Sequence, residues 1–126
     1  MTKVGEHITL DIIGTTKEYD PSVFEKVIYD IAKAAKVTIL NISKYKFEPQ
    51  GFTILALLAE SHISFHTFPE KGIISFDFFT CGKINPSVAV EIIKKEFEHT
   101  RIVKKELWKL QVSLEICFQL ICLYNQ

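Results

Sequence analysis

The chain has no apolar run long enough to cross a membrane and no excess of either charge, and each lack removes a class of function. Its longest purely aliphatic stretch, Ile54 to Ala59, is six residues, whereas a spanning helix needs about 20. The 15 basic and 15 acidic residues cancel and no Lys/Arg block stands out, so neither a nucleic-acid surface nor an anionic-membrane surface is expected. Cysteine is scarce: three residues, an odd number, suit a reducing compartment better than a disulfide framework. Met1 to Gly5 carries no signal-peptide core, and a soluble, cytoplasmic protein is the expectation. Repeats and low-complexity segments are also missing. What is abundant is apolar character, 48% of 126 residues, enough for one continuous core in a single domain spanning 1–126.

Periodicity then predicts the elements. Val4 to Gly14 mixes β-branched and aliphatic residues and stops at Gly14-Thr15-Thr16, as a strand entering a turn does. Asp20-Pro21-Ser22 starts an amphipathic helix on which Phe24, Val27, Ile28, Ile31 and Ala35 recur at helical spacing. Val37 to Phe47 reads as a strand, Pro49-Gln50-Gly51 as a turn, and Phe52 to Ala59 as a strand apolar on both faces, hence central in a sheet. Ser61 to Phe68 and Ile73 to Thr80, joined by Pro69-Glu70-Lys71-Gly72, form a hairpin pattern. Asn85-Pro86-Ser87 opens a second helix with Ala89, Ile92, Ile93 and Phe97 on one face, and Arg101 to Glu106 is a further strand. From Leu110 to Tyr124 every even-numbered residue is apolar or Cys, which favours a strand, although a helix also accommodates Leu107, Leu110, Leu114, Phe118 and Ile121. The order β-α-β-β-β-β-α-β predicts an α+β two-layer sandwich, a mainly antiparallel sheet with two helices on one face.

Chemistry concentrates between Leu58 and Gly82, LAESHISFHTFPEKGIISFDFFTCG. On an extended Ser61 to Phe68, His62, Ser64 and His66 share one face while Ile63, Phe65 and Thr67 share the other. Two imidazoles with Cys81 suggest a metal, but H-x-x-x-H on a strand is not the familiar zinc spacing and no second cysteine is near. A Cys or Ser beside a His suggests nucleophilic catalysis, yet G-x-S-x-G is missing. Taken alone, the histidines read as ordinary strand residues and Cys81 as a small buried apolar one.

The ordered series FEPQGFT at Phe47 to Thr53, LLAESHISFHTFPEKG, and FFTCG resembles the prokaryotic S-adenosylmethionine decarboxylases, with similarity over about residues 4 to 106, Gly5 and His7 included. The resemblance implies a proenzyme that cuts itself between Glu60 and Ser61, residues 1–60 becoming the β subunit and 61–126 the α subunit. Ser61 is implied to be the precursor of a self-generated pyruvoyl cofactor, reached by an N-to-O acyl shift onto its hydroxyl and elimination. His66 matches the histidine that accepts the Ser61 α-proton during processing, and Thr53 the hydroxyl that assists the rearrangement. Cys81 matches the catalytic proton donor, acting after the substrate's amino group has formed a Schiff base with the pyruvoyl ketone and carbon dioxide has left.

Substrate contacts are implied as well. Phe47 and Phe68 match aromatics near the adenine, although position 68 is commonly Trp in the family, and Glu70 matches the acidic residue that accepts bonds from the ribose hydroxyls. His7, Glu48 and Asp11 fall in matched segments without an assigned role, and Cys117 and Cys122 read as packing residues. No metal is expected, and the resemblance implies a homodimer of cleaved protomers with active sites near the subunit interface. The implied activity is decarboxylation of S-adenosylmethionine, supplying the aminopropyl donor for spermidine synthesis. Substrate choice is separable from processing, so a pyruvoyl decarboxylase of arginine or ornithine is the alternative. From another class, a non-catalytic module would use its histidines and cysteine to hold a metal or nucleoside.

Overall fold

Six stretches of β-branched and alternating residues pair into one sheet, and two amphipathic stretches lie as helices on one of its faces. A computed structural model describes residues 2–81 and 84–112. The elements run β1 (Thr2–Ile13), α1 (Pro21–Ala35), β2 (Ile39–Lys46), β3 (Phe52–Leu58), β4 (Ser61–Phe68), β5 (Ile73–Cys81), α2 (Val88–Glu96) and β6 (Arg101–Val112), with a 3₁₀ turn at Pro69–Lys71. The sheet order is β2-β3-β4-β5-β1-β6 and every pairing is antiparallel, which makes this the expected α+β sandwich. No helix among the described residues is long and apolar enough to cross a membrane.

Local chemistry explains the boundaries. Asp20 caps α1 by accepting a bond from the Ser22 N–H at 2.9 Å, and Pro21 occupies the first helical turn, where a missing N–H costs nothing. Lys36 ends the helix in the left-handed conformation, its N–H returning to the Ala32 and Lys33 carbonyls. The Val37 N–H bonds to the Ala32 carbonyl at 2.9 Å, so Val37 finishes the helix cap and β2 begins only at Ile39, later than the sequence predicts. Phe47 likewise leaves β2, its N–H closing a turn onto the Gly51 carbonyl at 2.8 Å. α2 starts at Val88, after a turn in which the Ser87 N–H bonds to Asn85 Oδ1 at 3.0 Å. β6 runs to Val112 along β1, longer than Arg101 to Glu106; the rest of the alternating segment, with Cys117 and Cys122, lies outside the described residues.

The core fills the space between helices and sheet. Phe24 of α1 sits at its centre, with its ring 4.9 Å from Phe52, 5.1 Å from Phe65 and 5.7 Å from Phe97. Around it pack Ile8, Leu10, Ile54, Ile63, Phe76 and Phe78 from one face of the sheet, with Ile28, Ile31, Ala89 and Ile93 from the helices. The other face is open. β3, read as central because both its faces are apolar, is the second strand from an edge, and its outward Leu55 and Leu57 are 47% and 56% exposed. Among the described residues the helices form one layer on one face of the sheet, and the outer apolar row of β3 is not covered by them.

Candidate active site

The β3–β4 connection is as short as a hairpin allows. Leu58 pairs with Ser61, so Ala59 and Glu60 alone make the turn, and Glu60 takes φ +62°. An L-residue with a side chain disfavours that region, which places backbone strain at the residue directly before Ser61. Ser61 is only 6% exposed, and its Oγ is buried without a hydrogen-bond partner among the described residues. A buried hydroxyl normally finds a partner. This one, in the residue directly after left-handed Glu60, has none among the described residues.

Cys81 ends β5 on the side of this turn. It pairs with Gly5 of β1, while Phe79, two residues earlier, pairs with both His62 and His7. Burial pushes the Cys81 thiol above its ordinary pKa, and the Glu60 carboxylate adds a smaller push the same way. Both effects favour the thiol over the thiolate. Gly82 of the FFTCG motif lies outside the described residues.

A second group gathers at the other end of the same strands. Thr53 and His66 face each other across β3 and β4, with Thr53 Oγ1 2.9 Å from His66 Nδ1. That bond engages one ring nitrogen and leaves Nε2 for chemistry. Thr53 and His66 line a cavity of about 350 Å³ together with Phe47, Phe68 and Glu70. The three expected substrate contacts thus share one hollow with the two residues expected to act in processing. Phe47 and Phe68 are 48% and 40% exposed, aromatic surface that a planar ligand would cover. A hollow of about 390 Å³ at the start of α1 holds the paired Glu25 and Lys44 and none of the candidate groups.

The structure does not bring these two groups together within one chain. Ser61 and His66 are five residues apart on one extended strand, a separation of about 17 Å, and they point to opposite faces. The trio of His62, His66 and Cys81, considered as metal ligands from the sequence, is likewise divided: the His66 ring is bonded to Thr53 and the His62 ring to Asp77.

One cluster has no counterpart in the sequence reading. Asp77 Oδ1 lies 2.9 Å from His62 Nε2 and 3.0 Å from His7 Nε2, and its Oδ2 accepts a bond from the Ser64 hydroxyl. The available signal was that Asp77 is the sole charged residue in β5, IISFDFFTC. The ligand atoms of His7, His62 and Asp77 fall within 4.8 Å of one another, but both imidazoles address the same carboxylate oxygen, which is hydrogen-bond geometry.

A family model described as S-adenosylmethionine decarboxylase matches residues 6–109. The S-adenosylmethionine decarboxylase proenzyme of Brevibacillus brevis is 34% identical over 115 residues, 86% of each chain. That of Prochlorococcus marinus is 44% identical over 96 residues, 74% of this chain and 77% of the relative. The crystal structure of the adenosylmethionine decarboxylase from Aquifex aeolicus superposes with a TM-score of 0.78 at 30% identity, covering 91% of this chain and 97% of that one.

Proposed function

The chain belongs to the S-adenosylmethionine decarboxylase family, and from that premise we propose that it is a self-cleaving, pyruvoyl-dependent enzyme that decarboxylates S-adenosylmethionine in the cytoplasm. Its product would serve as the aminopropyl donor for spermidine synthesis. The observation that carries the cleavage reading is the buried, unpartnered Ser61 hydroxyl directly after left-handed Glu60.

In the precursor the Ser61 Oγ adds to the Glu60 carbonyl carbon. The C–N bond then breaks, the Ser61 nitrogen takes a proton, and an ester replaces the peptide. Removal of the Ser61 α-proton drives elimination of the Glu60 carboxylate, and water then displaces ammonia from the dehydroalanine to leave the pyruvoyl group. His66 is the base for that proton, with Thr53 holding its ring. Because His66 stands about 17 Å along the strand from Ser61 of its own chain, the base comes from a second copy.

The complete site is accordingly made between two protomers of a homodimer. One copy supplies Glu60, Ser61 and Cys81; the other supplies Thr53, His66, Phe47, Phe68 and Glu70. The uncovered apolar residues Tyr45, Leu55 and Leu57, at 67%, 47% and 56% exposure, favour the open face of the sheet as the surface that meets the partner. The pyruvoyl group supplies an electrophilic carbonyl and an electron sink that no unmodified side chain offers. The chain's own residues do the rest: the aromatic pair receives the adenine, Glu70 accepts from the ribose hydroxyls, and the Cys81 thiol delivers a proton to the carbon that has lost carbon dioxide.

Denaturing mass spectrometry and carboxyl-labelled S-adenosylmethionine test this together. Two fragments, 1–60 and a 61–126 fragment blocked by pyruvate, and labelled carbon dioxide from S-adenosylmethionine are expected. An intact chain with no activity would overturn the cleavage reading. Carbon dioxide released only from arginine or ornithine would overturn the substrate.

A further inference from the structure

The His7, His62 and Asp77 cluster joins three strands, β1, β4 and β5, at a single carboxylate on the open face. Each histidine is the register partner of Phe79, one on either side, and Asp77 sits two residues before Phe79 on the same face. The His62 ring stacks on Phe79 at 5.9 Å and 17°, and the His7 ring meets its edge at 5.9 Å and 75°. Asp77 has three side-chain donors, the third being Ser64. Such a carboxylate belongs to a network, whose members support one another more than isolated surface pairs do.

Its place along the strands gives this network a purpose. His62 is joined through its own amide nitrogen to residue 61, and Cys81 lies two residues beyond Phe79, the register partner of both histidines, whose rings also meet each other at 6.0 Å. Cutting the Glu60–Ser61 bond, on the reading proposed above, releases β4 from its covalent link to β3. The residue bearing the electrophile then becomes a strand end, and strand ends fray unless they are tied down.

We propose that His7, His62 and Asp77 are positioning residues that clasp the severed end of β4 to β5 and β1, keeping residue 61 and Cys81 at a fixed separation after the chain is cut. Before cleavage the β3–β4 turn does this work, and the clasp is redundant. After cleavage, beside the backbone pairing of residue 61 with Leu58, it is the side-chain tie nearest the new chain end among the described residues, acting one residue away from the group at position 61.

The dependence on cleavage supplies the test. Asp77→Asn is compared in the self-cleaved protein and in the Ser61→Ala chain, which keeps β3 and β4 joined, by hydrogen exchange at the amides of residues 62–64. In cleaved protein the substitution should accelerate that exchange by about tenfold or more; in the Ser61→Ala chain the change should stay within about threefold. In the cleaved enzyme kcat should fall by about tenfold while KM changes little, since none of the three residues lines the hollow that receives the adenine and ribose. His7→Gln, which leaves His62 and Asp77 bonded, should show the same split between backgrounds with smaller amplitude, and it serves if Asp77→Asn slows cleavage. Equal acceleration in both backgrounds, or none in either, would overturn the clasp alone. Failure of the unsubstituted protein to cleave would overturn the reading on which the clasp rests, and the clasp with it.

Discussion

Glu60 is one of three described residues other than glycine with positive φ, and it is the one that precedes Ser61. In the uncut chain its side chain makes the left-handed turn unfavourable, so Glu60→Gly and Glu60→Ala should differ although both remove the carboxylate. On a Ser61→Ala background, which cannot cleave, the glycine variant should be more stable by about 1 kcal/mol, read from thermal or denaturant unfolding. Equal stability would mean that the turn stores no strain. Cys81 carries the second expectation at this scale. Burial first and the Glu60 carboxylate second both disfavour its thiolate, so the pKa lies above the ordinary thiol value. The donating form is thus present below that raised pKa and is lost only as the pH climbs through it. Alkylation of Cys81 followed against pH by peptide mass, in the Ser61→Ala chain, should inflect above the usual cysteine range, and Glu60→Gln should move the inflection down. The identities of Ser61, His66 and Cys81 were legible as members of an ordered motif. The unpartnered state of the Ser61 hydroxyl was not, because it depends on which neighbours the fold brings to it.

Individual elements were read from their period with small errors at the ends. β4 matches its predicted bounds, whereas β2 is shorter at both ends because Val37 and Phe47 give their N–H groups to a helix cap and a turn. Hydrogen bonds of that kind are specified by geometry rather than by residue type. β1 and β5 show the same limit more sharply. Gly5 reads locally as one more small residue near a strand start, yet a Cβ there would stand 2.5 Å from the Thr80 carbonyl oxygen and 2.9 Å from the Phe79 ring. A backbone oxygen cannot swing aside as a flexible side chain can. Gly5→Ala should therefore force β1 away from β5 next to Cys81 and cost about 1–3 kcal/mol in denaturant unfolding, and a neutral outcome would show that the two strands have room to part.

For the whole molecule, the separation of Ser61 and His66 along β4 means that the proposed self-cleavage is a reaction between two copies. Ser61→Ala and His66→Ala chains should each stay intact when expressed alone. Co-expressed in equal amounts they form mixed dimers in which the His66→Ala chain offers Ser61 and the Ser61→Ala chain offers His66. About half of the His66→Ala chains should then be cut, as random pairing in a two-fold dimer requires, and mass spectrometry resolves the fragments. No cleavage in the mixture would place both residues' action within one chain. The sequence by itself determined the elements, the residues on each face and the family, because periods of 2 and 3.6 and an ordered motif are local properties of the chain. It could not tell which face the helices cover: β3 is apolar on both sides, and only the placement of α1 and α2 leaves Leu55 and Leu57 bare. Nor could it join His7 to Asp77, 70 residues away. That contact exists because β1 inserts beside β5, before β6, and strand order is decided by long-range pairing and the closing of the core, not by any pattern along a single strand.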